Sequence, residues 1–191
     1  MVDEINQLFD IDDLPYAVTP FVRETTVEEW QGEVTGQSTR TIAHPRVVLR
    51  EQQITYAEAI EPTINLLTQT GFGTANMEFL AALTDYRKGE YEDCLTKCGS
   101  AFESTMKLIC TKRGWPYRET DTAAPLLKTI IEKSGLPSYY EQPLLMVAIL
   151  RNKESSSHGG GPEPRKVDPH VTQYAINATA AAILLLVEQV G

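Results

Sequence analysis

The residues best suited to chemistry lie close together in one stretch, LLMVAILRNKESSSHGGG at 144–161. Arg151 and Asn152 follow seven apolar residues, and six residues separate Arg151 from His158. An arginine presents a planar fork of hydrogen-bond donors that suits a phosphate. An asparagine can orient such an anion, and a histidine titrates near neutral pH and can therefore move a proton. Together the three residue types are suited to acid–base chemistry at a phosphate.

The simpler interpretation of this stretch is structural. An arginine in the last turn of a helix can hydrogen-bond free carbonyl groups and pack its stem on apolar neighbours, and a lone histidine beside glycines is commonly just solvated. The glycines at 159–161 do not form a P-loop, because Pro162 follows them where that motif needs lysine. HGGG at 158–161 also occurs in lipase-like hydrolases, but the chain lacks the G-x-S-x-G nucleophile motif that they require.

The elements that must position these residues are predicted to be helices. Helical spacing is clearest at 90–112, where apolar residues recur at intervals of three and four: Cys94, Leu95, Cys98, Ala101, Phe102, Met106, Ile109 and Cys110. Further helices are predicted at 74–88, at 122–133, after Ser138, and from an Asp168 cap with Pro169 in first position to about Val190. The segment at 144–150 is apolar on every face, which is typical of a buried helix. The pattern predicts an all-α bundle of four or five helices at 74–190.

The first 70 residues form an acidic segment that is harder to interpret. Residues 1–35 contain nine acidic residues and one basic residue. Residues 36–40 are typical of a loop, a short strand is conceivable at 46–49, and 54–69 is rich in helix formers. We expect a less regular region of loop plus helix, of unknown function, whose acidity favours solubility rather than occupation of a basic RNA groove.

The overall net charge of −9 does not exclude RNA as a partner, because the remaining 156 residues are nearly neutral. A basic stretch without acidic residues runs from 108 to 118. The candidates for RNA contact are Lys107, Lys112, Arg113 and, beside the arginine–histidine stretch, Lys153. An ordinary solvated basic face is the alternative interpretation.

The cysteines and the apolar runs indicate whether the protein binds a metal, is secreted or crosses a membrane. Three cysteines cannot all pair within one chain, and buried free thiols in a reducing compartment are the simpler interpretation. Because no CxxC pair or cluster of histidines supplies the roughly four ligands that zinc needs, we expect no metal and no other cofactor. No signal peptide precedes the acidic segment, and the longest apolar run, 178–187, is too short to cross a bilayer. We therefore expect a cytoplasmic protein without a membrane partner.

Three stretches resemble the C-terminal domain of abortive-infection proteins: YRKGEYEDCLTKCGSAFESTMKLIC at 86–110, LRNKESSSHGGG at 150–161 and NATAAAILLL at 177–186. That domain is similar to the HEPN superfamily of helical ribonuclease and nucleotide-binding folds. The superfamily motif is an arginine, often followed by a polar residue, and then a histidine about four to six residues further on. Arg151, Asn152 and His158 match this motif, and the resemblance covers about 75–190.

The resemblance implies metal-independent cleavage of RNA in phage defence, of the abortive-infection or toxin–antitoxin type. His158 would move the proton of the ribose 2′-hydroxyl or of the leaving oxygen, Arg151 would stabilise the phosphorane, and Asn152 would orient the phosphate. Such domains often form dimers, so the expected partners are RNA, a second copy of the chain, and an antitoxin or regulatory protein. The alternative is a non-catalytic helical module that dimerises and recognises a partner protein or a nucleotide.

Overall fold

The computed structural model describes residues 1–12, 14–30, 33–49, 56–68, 71–154 and 167–191. The chain divides into two compact units, Met1–Thr68 and Gln69–Gly191. The two units are built from different elements and are described separately.

The N-terminal unit combines short helices with two antiparallel strand pairs. Its elements are α1 (Val2–Ile11), β1 (Tyr16–Val18), β2 (Val22–Trp30), β3 (Glu33–Ala43), β4 (Val47–Leu49), a π-helical turn (Tyr56–Ile60) and α2 (Glu61–Leu67). Strand β1 pairs with β4, and β2 pairs with β3. Asn6 of α1 donates from its side chain to the carbonyl of Val18 at 2.9 Å and accepts from the same residue's N–H at 2.6 Å. These two bonds attach α1 to the end of β1.

The strands correct the interpretation of residues 36–40 as a loop, because these residues lie inside β3. Gly36 pairs with Glu28, and the register shifts between that pair and the next, Glu29 with Val34. A glycine in a strand commonly marks such a bulge, so the local signal was compatible with a strand as well as a turn. The short strand that the sequence suggested at 46–49 is present as β4. Strand pairing depends on distant partners, and local composition did not indicate it.

The helical unit contains five α-helices in the part of it that is described: α3 (Gly73–Lys88), α4 (Tyr91–Arg113), α5 (Ala123–Ser134), α6 (Glu141–Glu154) and α7 (Pro169–Val190). A 3₁₀ turn at Ser138–Tyr140 precedes α6. The predicted all-α bundle of four or five helices is confirmed.

The ends of these helices follow from a few residues. Helices α4 and α5 end at Gly114 and Gly135, whose φ angles of 67° and 77° lie in the left-handed region that favours glycine. Helix α7 begins after Asp168, whose carboxylate accepts a hydrogen bond from the N–H of His170 at 2.7 Å. Pro169 occupies the first helical position, as predicted, where its missing N–H has no cost.

Helix α4 is the centre of this unit, and it packs against α3, α5, α6 and α7. The largest fully buried side chains of the unit are Phe72, Phe79, Leu95, Phe102, Met106, Ile109, Leu126, Leu127, Ile130 and Ile176. Burying one such side chain contributes about 1.5–3 kcal/mol to the free energy of unfolding. The core therefore holds α4 rigidly, and α4 can act as the reference against which α6 is positioned.

The three cysteines lie on α4, and all of them are buried and free, as predicted. A hydrogen bond with Cys98, together with burial, raises the pKa of the Cys94 thiol well above its ordinary value. The Cys94 thiol therefore stays protonated, and the three buried cysteines pack as small apolar side chains.

Helix α7 is long and apolar enough, by length and composition, to pass for a membrane span among the described residues. Half of its most apolar 18-residue window is nevertheless buried within the unit. Its buried side chains include Ile176, Ile183 and Leu186. Core packing accounts for its apolar character.

Candidate functional site

Arg151 lies in the last turn of α6, and its side chain crosses α4 at a glycine. A Cβ placed on Gly99 would lie 2.5 Å from Cδ of Arg151, and 3.4 Å from both Cγ and Nε. Gly99 is itself buried. The absence of a side chain at this position is therefore what allows the arginine to lie directly against the central helix.

Glu103 holds the guanidinium of Arg151 from the next turn of α4. Nη1 of Arg151 lies 3.0 Å from Oε1 of Glu103. The same oxygen accepts a hydrogen bond from the N–H of Ala123, at the start of α5, at 3.2 Å. One carboxylate oxygen thus joins three helices. The arginine side chain is 31% exposed and the glutamate side chain 19%. The pair is therefore largely shielded from solvent, but a ligand can still contact it.

This ion pair forms part of the wall of a pocket of about 260 Å³. Glu103 contributes from α4, Thr122, Ala123 and Ala124 contribute from the start of α5, and Leu145, Ala148, Ile149, Arg151 and Asn152 contribute from α6. The structure thus brings Arg151 and Asn152 to one pocket, whose lining includes both apolar and polar side chains.

His158 lies outside the described residues, because the structure does not describe 155–166. The described residues on either side of that segment belong to one apolar cluster. Leu150, which precedes Arg151, packs there together with the buried residues Leu95, Val167 and Ala175. The end of α6 and the start of α7 therefore lie at the same part of the bundle.

The predicted RNA-contact residues on α4 have partners within the helical unit. Lys107 donates to the carbonyl of Glu119 at 2.7 Å, and Nζ of Lys112 lies 3.8 Å from the ring centroid of Phe72. Arg113 donates to the carbonyl oxygens of Val190 and Gly191, at 2.6 and 3.1 Å. Lys153, by contrast, is exposed on α6 beside Asn152. Contact with RNA stays a prediction for all four, and Lys153 is the one nearest the pocket in sequence.

Gly99 and Glu103 are the site residues that the sequence analysis did not identify. A signal was present, because glycine in a helix interior costs about 1 kcal/mol relative to alanine and usually has a packing reason. Glu103 lies one turn after that glycine, within the otherwise apolar spacing of 90–112. Its partner Arg151 is 48 residues away, and that distance hides the connection from any local pattern.

Groups of three or more histidine, cysteine or acidic side chains able to hold a metal ion are not found among the residues that the structure describes. The architecture and the site together define a HEPN-type helical domain: a bundle around one central helix, with an arginine and an asparagine at the end of a packed helix and a histidine further along the chain. Residues 73–190 match the model of the Abi_C family, a HEPN-like domain, over well more than half of the chain. The chain belongs to this family, which confirms the resemblance seen in the sequence and links the protein to abortive infection. No curated protein and no solved structure is significantly similar to the chain.

Proposed function

We propose that the helical unit is a metal-independent endoribonuclease that acts in phage defence, through abortive infection or a toxin–antitoxin type of response. The observation that carries this proposal is the fixed arginine. Gly99 lets Arg151 lie against α4, and Glu103 holds its guanidinium at a pocket that Asn152 also lines. Six residues separate Arg151 from His158, which is the spacing of the family motif. The proposed place of action is the cytoplasm, where cellular RNA is available.

The proposed reaction is attack of a ribose 2′-oxygen on the adjacent phosphorus. The 2′-hydroxyl gives up its proton, the bond between phosphorus and the 5′-oxygen breaks, and the 5′-oxygen gains a proton. The products are a 2′,3′-cyclic phosphate and a 5′-hydroxyl. In this scheme His158 moves the proton at one of the two oxygens, because imidazole titrates near neutral pH.

Arg151 stabilises the negative charge that develops on the phosphorane. A guanidinium has five N–H donors, and within the described residues Arg151 uses one of them, for Glu103. The other donors have no partner among the residues that the structure describes, and in this scheme they bind the equatorial phosphate oxygens. A donor that is already oriented in a partly dry pocket needs little reorganisation during the reaction, and this is the main source of electrostatic catalysis. Asn152 orients the phosphate from the pocket rim.

A second copy of the chain supplies the other half of the proton transfer. One imidazole cannot act as base and as acid in the same instant, so two His158 side chains from a homodimer would divide these roles. A native-mass measurement tests this point. Full activity from a monomer of 21.3 kDa would contradict it. An antitoxin or regulatory partner would act by covering the site in the resting cell.

The test of the function is cleavage of cellular RNA by the purified full chain in the presence of EDTA. We expect the wild type to cut RNA, and we expect His158→Ala to lose roughly 10²- to 10⁴-fold of the rate while it stays folded. His170→Ala is the matched control, because His170 is an exposed histidine on α7 and should leave the rate unchanged. Equal cutting by wild type and His158→Ala would contradict the proposal.

One observation favours the alternative, a non-catalytic module that binds a nucleotide or a partner protein. Glu103 balances the charge of Arg151, so the pocket is closer to a neutral recognition site than to a strongly cationic phosphate site. This alternative predicts that His158→Ala changes neither binding nor stability by more than about 0.5 kcal/mol. It also predicts that neither protein cuts RNA.

A further inference from the structure

We propose that the pocket beside Arg151 binds one guanine base of the RNA, so that the domain cleaves next to guanosine. This inference rests on the proposed function and adds a substrate preference to it. It comes from the second oxygen of Glu103, from the size of the pocket, and from the mixed polar and apolar side chains that line it.

The pocket has room for a single base. Its volume of about 260 Å³ lies just under the roughly 300–1,000 Å³ that is typical of sites for drug-sized ligands. Ala148 and Ile149 of α6 line it together with Ala124 of α5. Aliphatic side chains of this kind suit the flat face of a base, whereas a phosphate would gain nothing from them.

The polar side of the pocket offers one acceptor that the fold does not use. Oε1 of Glu103 accepts from Arg151 and from the N–H of Ala123. Oε2 of Glu103 has no hydrogen-bond partner among residues 71–154 and 167–191, nor elsewhere in the described chain. A carboxylate held at one oxygen and open at the other is preorganised to accept N–H groups from a ligand.

Guanine is the base that fits such an acceptor best. It is the only one of the four RNA bases whose Watson–Crick edge places two N–H donors, N1–H and the 2-amino group, side by side. In adenine and cytosine the amino group stands next to a ring nitrogen lone pair, which a carboxylate repels. In uracil the single N–H lies between two carbonyl oxygens. An unpaired carboxylate oxygen therefore discriminates in favour of guanine through attraction and repulsion together.

The main chain at the start of α5 supplies a matching donor. The N–H of Ala124 has no acceptor among the described residues, and Ala124 lines the pocket with Glu103. An amide beside a carboxylate complements the 6-carbonyl and N1–H of guanine. Since Arg151 lines the same pocket, a base bound to Glu103 would place neighbouring nucleotides of the RNA chain close to the guanidinium.

Two measurements on the full chain test the inference. In the first, the wild type cuts a random-sequence RNA, and the bases on both sides of each cleaved bond are determined. In the second, the four nucleoside 5′-monophosphates and inosine monophosphate are titrated into the non-cutting His158→Ala protein. We expect guanine to predominate on one side of the cut. We also expect guanosine monophosphate to bind roughly tenfold or more tightly than the other three nucleotides, in the range of one well-made base contact. Inosine monophosphate, which lacks the 2-amino group, should bind with intermediate affinity.

Two variants assign the effect to the pocket. Ala124→Phe should fill the pocket and lower guanosine monophosphate binding at least about tenfold, whereas Glu103→Gln should remove the preference for guanine. Ala181→Phe is the matched control for the first, because Ala181 is an exposed helical alanine on α7 that does not line the pocket. A melting curve for each variant shows that it is folded.

The possible results separate the two proposals. Cleavage without a guanine preference, or a preference that Ala124→Phe leaves intact, would overturn the inference and leave the ribonuclease proposal standing. Guanosine monophosphate binding that depends on Glu103, with no cleavage of any RNA, would support the pocket and contradict the ribonuclease. Neither binding nor cleavage would overturn both.

Discussion

Among the described residues, two ion pairs join α4 to neighbouring helices, and they differ in what surrounds them. Lys97 of α4 pairs with Asp85 of α3, whose side chain is only 5% exposed, while the lysine is 41% exposed. Glu103 of α4 pairs with Arg151 of α6, and both side chains line a pocket. In the first pair the buried carboxylate of Asp85 contacts the partly exposed ammonium group of Lys97. The second presents a carboxylate oxygen and a guanidinium to the same small space.

This difference indicates what each pair does. An enclosed carboxylate is costly without a counter-ion, so the pair of Lys97 and Asp85 serves the stability of the fold. The pair of Glu103 and Arg151 has donors and an acceptor without partners among the described residues, so we expect its main effect to be on function. Variants of each pair should therefore change different quantities, and five predictions test whether they do.

The largest expected effect follows from removal of the arginine. Arg151→Ala should lower kcat/KM for RNA cleavage by roughly 10²- to 10³-fold, since it removes the donor that we propose stabilises the phosphorane. Arg151→Lys should not restore the rate, because an ammonium lacks the planar fork. Lys128→Ala is the control, since Lys128 is 69% exposed on α5 and lies outside the pocket. Equal rates for Arg151→Ala and Lys128→Ala would contradict the functional role assigned to the pair of Glu103 and Arg151.

The next effect concerns the orientation of the arginine. Glu103→Gln keeps the size of the side chain but replaces a charge-assisted hydrogen bond with a weaker neutral one. On an RNA without guanine we expect kcat to fall about tenfold, because the guanidinium is no longer held in its orientation. We expect KM not to rise, because the loss of the carboxylate charge makes the site more positive. Steady-state kinetics measure both constants. A rise in KM at unchanged kcat would show that Glu103 contributes binding and not positioning.

The structural pair should behave in the opposite way. Lys97→Met leaves the Asp85 carboxylate without its partner and should lower the free energy of unfolding by about 1–2 kcal/mol, less than for a fully buried pair because the lysine is partly exposed. Cleavage per folded molecule should not change. Denaturant unfolding and cleavage assays on the same preparation check both expectations. A loss of activity without a loss of stability would contradict this assignment.

The same pair also predicts a pH dependence. The hydrogen bond to Asp85 raises the pKa of Lys97 above its ordinary value of 10.5. Because the folded-state pKa is the higher one, the contribution to stability is fully present below the ordinary value and declines as the pH rises through the folded-state pKa. The difference in unfolding free energy between wild type and Lys97→Met should therefore be constant near neutral pH and shrink in the alkaline range above about 10.5.

The smallest expected effect on stability comes from Gly99. In Gly99→Ala the new methyl group would displace the Arg151 side chain, and we expect cleavage to fall about tenfold, as for a small misplacement of a reacting group. Stability should stay constant or rise by up to about 1 kcal/mol, because alanine is the better helix former and the arginine stem can move aside. Gly73→Ala is the matched control, since a Cβ there meets no atom within 4 Å. A large loss of stability in Gly99→Ala would mean that the arginine cannot move.

The sequence predicted the helical unit well because its signals are local. The apolar spacing of α4, the glycine after α5 and the pairing of Asp168 with Pro169 each act within a few turns of chain. Arg151 and Asn152 were predicted as site residues for the same reason, since they end an apolar segment. The pairing of β2 with β3, and of Glu103 with Arg151, depends on contacts between distant residues. Local composition carries little information about such contacts, so the pairing of β2 with β3 and the contribution of Gly99 and Glu103 to the candidate site were missed.

The glycine under Arg151 has a consequence for the way this protein can change over generations. If Gly99→Ala costs little stability, selection for thermal stability alone would favour it. Proteins of such a lineage would become more stable as they lost the proposed activity. Retention of glycine at this position in active descendants would then record selection on the arginine and not on the fold. A deep mutational scan scored separately for abundance and for phage resistance would show position 99 as a site where the two scores move in opposite directions.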